Sequence, residues 1–126
     1  MKRFLLILAL VLLTSIAFAG TKSLNFAWQQ TLPSPNDLQG WSLYQSSTAG
    51  GPYAKILDIP YTVTQTEYTA TQPITVPDGS VTTLFFVLDA VDKSGNRSAK
   101  SNEVTASIDF QSPGTPIQLR VTVTTP

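Results

Sequence analysis

Apolar positions recur along this chain at a spacing of two, the period at which successive β-strand side chains fall on alternate faces. Leu84, Phe86, Leu88 and Ala90 form the longest such run. It ends in a polar turn at residues 92–97, Asp-Lys-Ser-Gly-Asn-Arg, and a second extended segment follows around residues 103–108. Two extended runs about a turn predict a β-hairpin. Upstream, Leu24, Phe26 and Trp28 share one face, and Trp41 and Leu43 point inward with Tyr44 outward. Shorter strands are predicted at residues 53–56 and 66–71, the latter with Tyr68 and Ala70 on one face. Ile59, Tyr61 and Val63 also alternate, but Pro60 has no amide to donate and keeps that segment at an edge.

Turn-forming residues separate these runs. Pro33, Pro35, Asn36 and Asp37 lie in residues 31–39, which Gly40 closes; Ala49-Gly50-Gly51-Pro52 makes a flexible turn; Pro73, Pro77, Asp78 and Gly79 turn the chain again. Beyond residue 19 no helical period competes with the strand period. The expectation is all-β, an antiparallel β-sandwich of about seven short strands. Its expected core is Phe26, Trp28, Trp41, Leu43, Ile56, Tyr68, Leu84, Phe86, Leu88, Ala90 and Val104.

Within the hairpin, Ala90-Val91-Asp92, then Ser94-Gly95-Asn96, then Ser101-Asn102-Glu103-Val104 resemble the last two strands, F and G, of a fibronectin type III domain of the bacterial and phage kind. Residues 35–41, Pro-Asn-Asp-Leu-Gln-Gly-Trp, followed by Leu43 and Tyr44, are similar to the passage from strand B to strand C in such domains. The resemblance covers residues 24–108. It implies an immunoglobulin-like sandwich with Trp28 of strand B in the core, residues 53–56 as C′ and 66–71 as E. There are two departures. Many such domains carry a tyrosine whose hydroxyl bonds across the E–F corner where this chain has Leu84, forgoing ~1 kcal/mol for one hydrogen bond. Strand A, which normally brings a proline and a leucine ahead of strand B, has only residues 20–23 to form from and is expected to be absent or very short.

The other end shows the reverse. After a connector at residues 111–116, Ile117, Leu119, Val121 and Val123 alternate with Gln118, Arg120, Thr122 and Thr124, which predicts an extra C-terminal strand. Residues 113–121 also resemble the opening A strand of a following type III domain. Three placements are open: the segment folds back on its own domain, adds to a neighbouring subunit as the missing strand A by β-augmentation, or stays a disordered tail. Strands A and G run the same way in a seven-strand antiparallel sandwich, so a tail entering a neighbour at its N-terminal pole would run as a native strand A does. That contact is head-to-tail and can propagate.

Lys2 and Arg3 precede the apolar run of residues 4–13, and Ala17-Phe18-Ala19 offers small residues where a signal peptidase reads. Residues 1–19 therefore read as a secretory signal peptide, 20–110 as the type III-like domain and 111–126 as connector and tail. The apolar run falls short of the roughly 20 residues of a spanning helix, so membrane contact is expected only through an uncleaved signal. The destination is the periplasm, the cell surface or the medium. Removing 19 residues from 126 leaves 107, with six basic against eight acidic side chains and a net charge of −2. No basic run points to nucleic acid. The absence of cysteine excludes a disulfide framework and a lipidated cysteine. The absence of histidine removes the commonest metal ligand and general base together.

Candidate chemistry is sparse. Asp92, Ser94, Asn96, Ser98 and Glu103 fall at positions 1, 3, 5, 7 and 12 of an EF-hand count, but Arg97 stands where the sharp turn needs glycine. The alternative is that Asp92 and Asn96 build the turn. Asn96-Arg97-Ser98 is a formal N-glycosylation acceptor. Asp89 and Asp92 could suggest a glycosidase pair, yet three residues apart on a strand they face opposite ways, and solvated charge at the strand end is the simpler reading. No catalytic residue, metal ligand or cofactor is assigned. Tyr44, Tyr53, Tyr61 and Phe85 are expected outward or at edges, where rings stack on sugars or fill protein contacts. The function expected is an exported, non-catalytic interaction or structural module with a protein partner or further copies of itself; the alternative is a carbohydrate-binding accessory module.

Overall fold

The run at residues 84–90 is the centre of the longest strand in the computed structural model, which describes residues 19–125. Six strands form among these residues: β1 (Ala19–Trp28), β2 (Leu38–Ser46), β3 (Ala54–Pro60), β4 (Tyr68–Pro77), β5 (Val81–Asp92) and β6 (Val104–Asp109). They make two antiparallel sheets, β1-β4 and β3-β2-β5-β6, with no helix among the described residues.

One core joins the two sheets. Leu43 of β2, Leu84 and Phe86 of β5 and Ile108 of β6 meet Ile74 and Val76 of β4, and the Phe26 ring stands edge-on to Phe86 at 5.0 Å. Leu84, where the type III resemblance would place a corner tyrosine, is buried here. A second cluster gathers Leu38, Trp41 and Tyr68, with Trp28, Leu32, Tyr61 and Leu88 packed against it. Its rings interlock: Trp28 meets Trp41 edge-on at 5.2 Å, and Tyr68 lies 4.6 Å from Trp41. The Trp41 indole donates to Gln30 Oε1 at 3.0 Å.

Several expectations are corrected. Val104, expected in the core, is 44 % exposed, whereas Phe26, Trp28, Ile56, Leu88 and Ala90 pack half-buried against the core residues. Ile74 and Val76, expected in a turn, are buried in β4, and Pro73 sits inside that strand opposite Ser23. In a two-stranded sheet both members are edges, and an edge strand tolerates a proline where its nitrogen faces away from the partner. Gly40 lies within β2 instead of closing a loop; a Cβ there would stand 2.2 Å from the Ile59 carbonyl oxygen of β3.

At the termini, residues 20–23 belong to β1 itself and make no separate first strand. The signal-peptide reading falls outside the described residues, apart from Ala19. The expected C-terminal strand does not form within one copy: residues 111–125 join no strand among the described residues, which hold six strands where about seven plus one were expected.

Candidate functional site

β1 pairs with β4 on one side, and no strand among the described residues pairs with its other side. An unpaired edge presents a row of free N–H and C=O groups, a template for another strand. Beside it lies a cleft of about 110 Å³ lined by Phe26 and Trp28 of β1, Leu88 of β5, and Ser101, Asn102 and Val104 leading into β6. No β4 residue lines it, so it opens on the side of β1 away from β4. Val104 is opposite Phe86 in the β5–β6 register and therefore faces the core, yet it is 44 % exposed. The sandwich is uncovered at this seam. The Trp28 Nε1–H is buried with no hydrogen-bond partner among the described residues, an omission worth about 1–3 kcal/mol.

The tail carries the complementary deficit. Ile117, Leu119, Val121 and Val123 are 82 to 96 % exposed. Gln118 among them adopts φ 56°, a left-handed conformation that costs a non-glycine residue about 1–2 kcal/mol and that extended pairing would relieve. The tail departs beside the start of β1, where Lys22 Nζ donates to the Asp109 carbonyl at 3.2 Å and lies 5.1 Å from the centre of the Phe110 ring. The cleft, by contrast, is walled by the last residues of β1, Ala27 and Trp28. Tail and cleft stand at opposite poles.

The outer face of the four-stranded sheet carries a polar cluster. Asp89 is no solvated end charge: its side chain is fully buried, with Arg97 at 2.9 Å from Oδ1 and Lys100 at 2.9 Å from Oδ2. The Tyr44 hydroxyl donates to Asp89 Oδ2 at 3.1 Å, and Lys100 Nζ stands 4.2 Å over the Tyr44 ring. Ser42, opposite Asp89 in register, donates to Asp58 at 2.7 Å and accepts from Arg97 at 3.2 Å. The arrangement binds β2, β3, β5 and the following loop together.

The other candidates are dispersed. Asp92 turns its carboxylate onto its own turn, accepting from the Ser94 and Asn96 amides at 2.9 and 2.8 Å. Glu103 instead accepts from the Gly50 amide and the Tyr53 hydroxyl, so the residues of the EF-hand count do not converge. Tyr44, Tyr53, Tyr61 and Phe85 are all half-buried. Tyr61 packs with Trp41 and Tyr68, while the Tyr44 and Tyr53 hydroxyls serve Asp89 and Glu103. They form no exposed planar row.

The ionisable groups set a pH profile. Asp58 is held below its ordinary range by the Ser42 hydroxyl and Lys55, Asp92 by Asn96, and Glu103 by Tyr53. Lys100 is raised by Asp89 and Tyr53 by Glu103. A lowered carboxyl gives stability that is complete above its unfolded pKa and disappears as pH falls through the folded value; a raised lysine or tyrosine gives stability that is complete below its unfolded pKa and disappears as pH rises. No histidine titrates between. The urea midpoint is therefore expected to stay level from about pH 5 to about pH 9, and to drop below about pH 4 and above about pH 10. A midpoint that moved between about pH 6 and 8 would contradict this assignment.

No helix among the described residues is long and apolar enough to cross a membrane. No protein-family model, curated protein or solved structure matches the chain.

Proposed function

We propose that this chain is an exported, non-catalytic structural or interaction module of the fibronectin type III kind, which assembles with further copies of itself by donating residues 117–123 to a neighbour. One observation carries the reading: among the described residues a single copy holds both a strand edge at β1 that no strand pairs and an apolar alternating segment that joins no strand. The strand order supports the domain type. If β1 to β6 are lettered B, C, C′, E, F and G, the sheets are B-E and C′-C-F-G, the division that immunoglobulin-like sandwiches make, short of strand A. Export is supported by Lys2, Arg3, the apolar run after them and Ala17-Phe18-Ala19.

Light scattering across a wide concentration range tests the proposal on the chain beginning at Gly20 and on one also ending at Phe110. All six strands lie within residues 19–109, so the shorter chain keeps every one of them except the opening Ala19. The longer chain is expected to gain mass with concentration while the shorter stays monomeric. Monomers in both cases would refute self-assembly through the tail.

A further inference from the structure

Resting on that reading, we infer that residues 117–123 of a second copy lie antiparallel along the free edge of β1, with the start of the segment seated in the cleft between β1 and the loop leading into β6. Two observations point to the occupant. The cleft exposes the core-facing side chain of Val104 and the flanks of Phe26 and Trp28, a surface suited to alternate apolar side chains. Residues 117–123 present four such side chains on one face of an extended segment and would span ~23 Å when extended, against ~33 Å for the ten residues of β1.

Direction decides between the copy's own tail and a neighbour's. The tail leaves from the pole where β1 begins. Laid on its own β1 edge, it would run the same way as β1. A tail from a neighbour enters at the cleft pole and runs against β1, giving the antiparallel ladder, which is the more stable per residue. Ile117 of the incoming tail then lies near Trp28 and Asn102, and Val123 near the middle or start of β1.

The chain has no cysteine, so single cysteines can report this geometry in the chain beginning at Gly20. Ile117→Cys mixed with Asn102→Cys is expected to give a disulfide-linked heterodimer under mild oxidation. Val123→Cys with Asn102→Cys, and Ile117→Cys with Thr69→Cys on the free side of β4, are expected to give at least tenfold less. Preferential linkage in either of those two mixtures overturns the seat, as does an intramolecular disulfide in an Ile117→Cys/Asn102→Cys chain at high dilution. If light scattering shows tail-dependent assembly and no mixture links, the seat is wrong and the assembly reading stands. If mass never depends on the tail, both fall.

Discussion

An Arg97→Met/Lys100→Met chain is expected to lose about 3–5 kcal/mol of stability, because it leaves a buried carboxylate without a counter-charge. Asp89→Asn is expected to lose less, about 1–2 kcal/mol. The asymmetry follows from burial. The Asp89 side chain is wholly inaccessible, whereas those of Arg97 and Lys100 are 41 and 43 % exposed. Cations deprived of Asp89 can turn to water. Asp89 deprived of both cations keeps, among the described residues, the Tyr44 hydroxyl alone and must admit water or unfold the strand around it. Urea unfolding of the two variants measures the order; equal losses, or the reverse order, would mean that water already reaches Asp89.

Phe86→Ala is expected to lose about 3–5 kcal/mol, again by urea unfolding, for a different reason. Phe86 is 0 % exposed and lies where β2, β4, β5 and β6 meet, with the Phe26 ring against it. Its removal opens a cavity between the two sheets, and the ladders that stiffen each sheet limit how far the backbones can move in to fill it. The chain has no disulfide to limit unfolding. Against a total of roughly 5–15 kcal/mol for a domain, this one ring decides whether most molecules are folded. A loss below about 1 kcal/mol would show that the sheets close over the gap.

The all-β class and the inward faces of β2 and β5 were legible because one side of each strand meets a core while the other does not, which writes a period of two into the residues. Where that contrast fails, reading failed. Ile74 and Val76 sit between Pro73 and Pro77, residues that mark a turn unless the strand is an edge, and edge status is a property of the whole sheet. Asp89 lies in a run with Phe85 and Val87 on its own face, and Val87 is buried. Apolar residues on both faces were the available sign that the outer face is covered, and that a carboxylate there would draw on Arg97 and Lys100.

Residues 98–101 left no strand signal at all. The Ser98 and Ser101 amides donate to the carbonyls of Ala90 and Leu88, and their hydroxyls accept from the amides of the same two residues. Side chains stand in for a ladder there, and nothing in such an arrangement calls for alternating apolar residues. The tail is the opposite case. Its alternation is plain at residues 117–123, but a period of two says only that a segment suits a sheet and not whose sheet it joins.

The placement of tail and cleft at opposite poles gives each copy a front and a back. A row of copies joined through these features would end on one side in an empty cleft and on the other in a free tail. The two termini would be chemically different surfaces, open to different caps, so length could be set at one end without touching growth at the other.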